Sequence, residues 1–214
     1  MKKILLLGDS IRMGYDKYVK EALAEVAEVY YPDENCKYAE NLLRFAHEWK
    51  KKCDWSDDID LVHWNAGLWD VLELFDDEPL STKDYYANVI PRIDKRLRLI
   101  FPRAKIVFAT STPVIEERCA PHFRRHNATI EEYNEIARRA LSDTDTRIND
   151  LYGLMRSAPE TYHSDAVHFY TDEGTELIGV RVLSVICEEL SISAKEVNLD
   201  GFEPEKYSKD NIGY

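Results

Sequence analysis

The sequence predicts a single α/β domain built on a five-stranded parallel sheet with helices on both faces. Short apolar runs that end at polar or glycine-containing turns alternate with longer segments in which apolar residues recur every three or four positions. This alternation favours a doubly wound sheet, because each right-handed crossover between parallel strands is long enough to contain a helix. The 214 residues, 44% of them apolar, can bury one sizeable core, and no shift in composition marks a second one.

The first half of the chain carries three predicted strands and two predicted helices. Strand one is the apolar run 3–8, which stops at a Gly-Asp-Ser turn, and the helix after it covers 15–27, where the apolar residues share one face. Strand two, 28–31, stops at a proline. Apolar spacing predicts a second helix around 42–49, and the β-branched and aromatic run 59–64 forms strand three.

Capping patterns mark the helices of the second half. Ser81 with Asp84 opens a long amphipathic helix, and Thr129 with Glu132 opens the next one. The fourth strand, 105–110, lies between these two helices.

The last elements are a weak fifth strand at 147–151 and a final amphipathic helix at 171–190. Beyond this helix the sequence is polar and has no clear period. We therefore expect one domain over 1–192 and a tail over 193–214.

Composition excludes several functional classes. Lys and Arg number 28 against 40 Asp and Glu, a formal charge of −12, and no basic stripe offsets it, so nucleic acid is not an expected partner. No stretch approaches the roughly 18 apolar residues of a membrane helix. The basic, apolar start resembles a signal peptide but is broken at Gly8 and is too short. Four cysteines without paired spacing are typical of reduced thiols in a cytoplasmic protein.

Ser10 is a candidate nucleophile. It follows the first strand at the start of a helix, where backbone N–H groups and the helix dipole favour a developing anion. The turn after a strand of such a sheet is also where ligands bind. The alternative is that Ser10 only caps the helix.

Asp165 and His168 supply the partners that a serine nucleophile needs. Because the two residues are three positions apart, the carboxylate can bond one ring nitrogen of the imidazole and leave the other free to act as a base. The alternative is an accidental surface pair in front of a helix.

A third block, 60–70, runs from a strand into a glycine-containing loop that ends Gly67-Leu68-Trp69-Asp70. Together with Gly8-Asp9-Ser10 and Asp165-Ala166-Val167-His168, in this order along the chain, it resembles the SGNH (GDSL-type) hydrolase family over residues 3 to about 190. The resemblance implies a flavodoxin-like three-layer sandwich and a serine esterase. In such an enzyme Ser10 attacks an ester carbonyl, His168 relays the proton, Asp165 orients the imidazole and an acyl-enzyme forms without a cofactor.

The oxyanion hole that the resemblance implies departs from the family pattern at two points. Trp69 stands at the position of the family's asparagine, and no glycine follows strand two. We predict that the backbone N–H of Ser10, the amide of Asn65 and Gly67 form the hole, with the Trp69 indole N–H as the alternative to Asn65. After strand two, the Cys36 backbone N–H or an inward-turned Asn35 remain open alternatives.

Asp9, Arg12, Trp64 and Trp69 are the further residues that we predict to contact substrate. For Arg12 the alternative is a structural ion pair with Asp9 or Asp70, and for one of the two tryptophans it is burial in the core.

The acidic residues that follow Asp70 favour a neutral substrate by repelling anions. They are Glu73, Asp76, Asp77 and Glu78. A small neutral acyl ester such as an acetylated carbohydrate fits this charge.

Metal chemistry is not expected. Cys119, His122 and His126 are spaced like ligands, but arginines crowd the segment and no fourth ligand follows. A small-molecule ester is thus the expected partner, no membrane is expected to be one, and a homodimer stays open. The alternatives to an esterase are an inactive ligand-binding protein of the same fold and an acyltransferase.

Overall fold

A computed structural model describes residues 1–204 and contains seven strands among them. They are β1 (Lys2–Leu7), β2 (Ala27–Tyr30), β3 (Leu61–Trp64), β4 (Glu73–Leu74), β5 (Lys105–Ala109), β6 (Phe123–Arg124) and β7 (Arg147–Asn149). Five of them form the main sheet in the order β2-β1-β3-β5-β7, with every neighbouring pair parallel. The remaining two, β4 and β6, pair as a short antiparallel ribbon.

Helices cover the sheet on both faces. They are α1 (Ser10–Ala22), α2 (Ala39–Lys52), α3 (Lys83–Ile100), α4 (Asn127–Ala140), α5 (Leu151–Met155) and α6 (Asp172–Leu190). The first and last of them, α1 and α6, pack together on one face, while α2, α3 and α4 pack in sequence on the other, as right-handed crossovers require for this strand order. The predicted three-layer α/β fold is confirmed.

The central strand explains why the apolar run at the N-terminus is continuous rather than alternating. Ile4, Leu5, Leu6 and Leu7 of β1 are all fully buried, because helices cover both faces of the sheet at this strand. Each such side chain removes enough apolar surface from water to stabilise the fold by roughly 1.5–3 kcal/mol.

Three helix starts differ from the prediction. The N-terminal residue of α4 is Asn127, so Thr129 lies inside the first turn and forms no cap; the Asn127 N–H instead donates to the Glu116 carboxylate at 2.7 Å. The first helix begins at Ser10, where the Asp9 carboxylate accepts the Ile11 N–H. For α3 the capping residue is Thr82 rather than Ser81.

The β4–β6 ribbon and α5 were not predicted, because two-residue strands and a five-residue helix carry no periodic pattern. At the C-terminus the Lys195 N–H donates to the Ala22 carbonyl at 2.9 Å, and Phe202 packs edge-on against Tyr18. Residues 205–214 of the predicted tail lie outside the described residues. None of the described helices is long and apolar enough to cross a membrane.

Candidate active site

The site lies where the chain reverses its direction across the sheet. In the order β2-β1-β3-β5-β7 the chain first moves from β1 to one side and then returns to the other, so the loops after β1 and β3 flank the switch point. Ser10 stands in the first of these loops and Asn65 in the second. The Ser10 side chain is the first of helix α1 and is 4% exposed.

The three residues predicted as a triad form one chain of hydrogen bonds. Ser10 Oγ is 2.8 Å from His168 Nε2, and His168 Nδ1 is 2.7 Å from Asp165 Oδ2. Partial burial alone would raise the pKa of Asp165, but the hydrogen bond from His168 and two backbone N–H groups lower it to about 2. Asp165 is therefore ionised at neutral pH and fixes the imidazole with Nε2 towards the serine.

The loop that carries His168 is held at both ends of the turn. Ser164 donates its backbone N–H to the His168 carbonyl at 2.8 Å, and the Ile115 N–H donates to the Ala166 carbonyl at 2.8 Å. Residue Tyr170, which the sequence analysis did not select, contacts both Ser10 and His168. The histidine is thus restrained before any substrate binds.

Asn65 lies against the turn that carries the nucleophile. A Cβ atom at Gly8 would collide with Asn65 Oδ1, so the glycine is needed for the amide to approach. Asn65 is 3% exposed, and its Oδ1 has no hydrogen-bond partner among residues 1–204. Burial raises the pKa of Asp9, and the Asn65 amide opposes that rise. Asn65 is therefore buried beside the Gly8–Ser10 turn, and its role as an oxyanion donor stays a prediction.

Gly67 requires its glycine for a different reason. Its φ is +151°, a conformation that side chains disfavour, and a Cβ there would collide with Ser111 Oγ. The role of its N–H in an oxyanion hole stays a prediction.

The segment after β2 excludes the Cys36 alternative and has Asn35 turned inward. The Cys36 backbone N–H donates to the Gly8 carbonyl at 3.0 Å, so this group is not available to an oxyanion. Asn35 does turn inward, with 1% exposure; its Oδ1 accepts the Lys37 N–H at 2.7 Å, and its Nδ2 has no partner among the described side chains and backbone.

Three of the predicted substrate contacts are corrected by burial. Arg12, 1% exposed, pairs with Asp16 and donates to the Glu34 carbonyl at 2.7 Å, rather than pairing with Asp9 or Asp70. Asp9, fully buried, caps α1. These side chains brace the loops around the site and do not face substrate.

Trp64 is the third predicted substrate contact that is buried. This last residue of β3 is fully buried and packs on Phe108, with ring centroids 4.8 Å apart. Since both faces of β3 are covered, its indole belongs to the core. Trp69 is half-buried in the following loop and stays the predicted aromatic wall.

A buried arginine that the sequence did not single out acts on Asp9, the residue before Ser10. Arg125 is 4% exposed, donates Nε to the Leu68 carbonyl at 2.6 Å, and lowers the pKa of Asp9 against the larger effect of burial. No local pattern distinguishes this arginine from its neighbours, because its burial depends on the contact between distant loops.

The acidic segment after Asp70 is also partly compensated. Asp76 lies 3.8 Å from Arg124. Repulsion of anions by this segment is therefore weaker than the sequence suggested.

The metal-like spacing does not produce a metal site in the part of the chain that is described. His126 instead bonds Glu116 at 2.9 Å, and His122 stacks on Phe75. Among residues 1–204 no group of three or more His, Cys, Asp or Glu side chains is arranged to hold a metal ion.

Comparison with known proteins identifies the architecture. No protein-family model and no curated protein sequence matches the chain. A lipase/acylhydrolase structure from Enterococcus faecalis is similar with a TM-score of 0.68 and 22% identity, over 92% of this chain and 100% of that one. An acetyl xylan esterase, AlAXEase, gives 0.66 and 17% over 86% and 99% of the two chains. A GDSL-like lipase from Bacteroides thetaiotaomicron gives 0.60 and 16% over 87% and 88%. The resemblance drawn from the sequence motifs is thereby confirmed, and the chain has the fold of the SGNH (GDSL-type) hydrolases.

Proposed function

We propose that the protein is a serine esterase that hydrolyses a small acyl ester through an acyl-enzyme. The single observation that carries the proposal is the continuous hydrogen-bonded chain from Ser10 Oγ through His168 to Asp165, with both links at 2.7–2.8 Å. A nucleophile, a base and a group that orients the base are the three parts of a charge-stabilised acyl transfer.

The reaction proceeds in two balanced steps. Ser10 Oγ attacks the ester carbonyl carbon while its proton passes to His168 Nε2, and the imidazolium then protonates the leaving alcohol as the bond between carbonyl carbon and ester oxygen breaks. Water then attacks the acyl carbonyl carbon while one of its protons passes to His168 Nε2. The bond between this carbon and Ser10 Oγ breaks, the imidazolium returns the proton to Ser10 Oγ, and the acid is released. Asp165 keeps its charge throughout and stabilises the imidazolium.

The proposed oxyanion donors are the Ser10 backbone N–H, the Asn65 amide and the Gly67 N–H. The position of Ser10 at the first turn of α1 supports the first donor, because helix N-termini favour negative charge. The burial of Asn65 beside the Gly8–Ser10 turn and the hydrogen bond of its amide with Asp9 support the second.

An acetylated carbohydrate is the substrate class that we propose. One structural neighbour is described as an acetyl xylan esterase, and the half-buried Trp69 offers an apolar ring of the kind that packs on sugar faces. Because the charge of the acidic segment is partly compensated, the proposal of an uncharged substrate rests on these two observations and not on repulsion of anions.

Replacing the nucleophile tests the proposal. Ser10→Ala is expected to lower kcat for p-nitrophenyl acetate by at least about 10³-fold and to abolish labelling by a fluorophosphonate probe. The control is Ser142→Ala, which removes an exposed hydroxyl that bonds only the nearby Arg139 carbonyl in the described residues and should leave both readouts unchanged. Equal activity of the Ser10→Ala variant and the parent would exclude this mechanism.

The same assays separate the alternatives. A folded parent that binds acetylated sugars but is neither labelled nor active would be a binding protein, as Trp69 at the family's asparagine position suggests. Transfer of the acyl group to an added alcohol in preference to water would indicate an acyltransferase.

A further inference from the structure

Tyr170 connects the nucleophile to the base without belonging to the triad. Its hydroxyl donates a hydrogen bond to the backbone carbonyl of Ser10 at 2.8 Å. Its ring stacks on the imidazole of His168, with centroids 4.7 Å apart and an interplanar angle of 16°. One side chain thus contacts two residues that are 158 positions apart in the sequence.

The helix of the nucleophile is shaped to accept this ring. Gly14 stands one helical turn after Ser10, and a Cβ atom there would lie only 2.9 Å from two carbons of the Tyr170 ring. Ile11, Phe169 and Thr175 line the same narrow crevice between α1 and α6. The ring therefore occupies a fixed place, because the glycine removes the side chain that would exclude it.

We infer that Tyr170 is a positioning residue that holds the His168 imidazole towards Ser10 and favours the imidazolium during catalysis. This inference rests on the proposed esterase function. The stacked ring restricts rotation of the imidazole, and its π face attracts the positive charge that His168 gains from the serine proton. The hydroxyl ties the histidine loop to the first turn of α1, which keeps the distance from Ser10 Oγ to His168 Nε2 short.

Substitution of Tyr170 leaves the charged groups around His168 the same as in the parent protein. Asp165 bonds its Nδ1, Asp9 at the start of α1 and His163 on the same loop interact with it electrostatically, and Arg125 acts on Asp9. Burial, with a smaller effect of a nearby arginine, lowers the pKa of His163 to about 4, so this histidine does not titrate between pH 5 and 8. A shift in the titration of His168 in these variants therefore reports the loss of the aromatic ring.

Two substitutions separate the two contacts. Tyr170→Phe keeps the ring and removes the hydroxyl, so we expect kcat to fall about 3- to 10-fold while KM and the pH at half-maximal kcat/KM stay unchanged. Tyr170→Leu removes the ring as well. For this variant we expect kcat to fall by about 10- to 100-fold and the half-maximal pH to move down by roughly 0.5 to 1 unit, because the imidazolium loses its π partner. Tyr85→Leu, at an exposed position of α3, is the control and should change neither value.

A second measurement makes the test independent of turnover. NMR titration of the His168 ring, assigned with a His168→Gln variant, should show a lower midpoint in Tyr170→Leu than in the parent and the same midpoint in Tyr170→Phe. Thermal unfolding confirms that each variant is folded.

The outcomes distinguish the inference from the proposed function. If Tyr170→Leu titrates like the parent, in the kinetics or in the NMR experiment, Tyr170 only fills space and the inference is wrong, even where kcat falls. If Ser10→Ala is as active as the parent, the proposed function fails, while the NMR midpoint still decides whether Tyr170 favours the imidazolium.

Discussion

The stability of the protein should fall as the pH rises through the range in which Asp70 ionises. The Asp70 carboxyl is fully buried, accepts a hydrogen bond from Ser81 Oγ at 2.7 Å, and receives the Ala39 N–H at 3.0 Å. Burial, together with the nearby Asp9 carboxyl, outweighs these bonds and raises the pKa of Asp70 to about 7 from an ordinary value of 3.8. Between about pH 4 and pH 7 the Asp70 carboxyl is therefore protonated in the folded state and ionised in the unfolded state.

The size of the stability change follows from the difference between the pKa values of Asp70 in the folded and the unfolded state. Below pH 4 both states are protonated and the contribution of Asp70 to folding is complete, whereas above pH 7 both are ionised and it is lost. A rise of about three pKa units at about 1.4 kcal/mol each gives a loss of about 4 kcal/mol in the free energy of unfolding between these limits. This is an upper limit, because local relaxation and entering water lower the cost of a buried charge.

Asp70→Asn isolates the effect. An asparagine can accept the Ala39 N–H with its carbonyl oxygen and donate its amide to Ser81 Oγ, so the two hydrogen bonds are preserved without a titrating group. Urea unfolding at intervals from pH 4.5 to 8.5 should show that the free energy of unfolding of the parent falls relative to the variant as the pH rises. Titrating groups that do not interact with Asp70 contribute equally to both proteins and cancel in the difference, whereas the coupling between Asp9 and Asp70 is part of the measured effect. A difference that is constant over this range would refute the reasoning.

Three further predictions concern the active site. Gly8→Ala places a methyl group against the Asn65 amide and should lower the free energy of unfolding by about 1–3 kcal/mol, measured by chemical denaturation. It should also lower kcat for ester hydrolysis. If both values were unchanged, the packing argument would be contradicted. Asn65→Ala should lower kcat by about 10²- to 10³-fold with little change in KM. The control Asn88→Ala, at an exposed position, should change neither value. A change confined to KM would argue against an oxyanion role for Asn65. In the parent, kcat/KM should rise from pH 5 to a plateau, because His168 must be neutral to accept the proton. Asp165, with its pKa lowered to about 2, stays ionised throughout this range. A flat profile would speak against His168 as the base.

Features that depend on neighbouring residues were predictable from the sequence. The uninterrupted apolar run of β1 indicated a strand covered on both faces, and Thr171 marked the start of α6 as its capping residue. The three motif blocks could be ordered along the chain, and their positions at strand ends indicated that they share one edge of the sheet.

Apart from the meeting of Ser10 with His168, which the motif blocks indicated together, features that depend on contacts between distant segments were not predictable. The cap of α4 comes from Glu116 in another loop, so a local Thr-Glu pattern could not reveal it. Trp64 and Trp69 have similar local surroundings, and only their positions relative to the covered faces of β3 decide which is buried. Tyr170 had no signal of its own, because its position depends on the space that Gly14 leaves on another helix.

The charges around the nucleophile bear on how the site would select its substrate. An isolated buried carboxylate at Asp9, one residue before Ser10, would oppose the negative charge that develops on an oxyanion. The Asn65 amide and Arg125 both lower the pKa of this carboxyl against the larger effect of burial, and Arg124 lies close to Asp76 of the 73–78 segment. The negative charge of this segment is therefore partly compensated, which weakens its repulsion of anions. Selectivity would then depend on the shape and the aromatic surface of the loops after β3, which makes Trp69, rather than the acidic segment, the residue whose replacement should change the preference among uncharged esters.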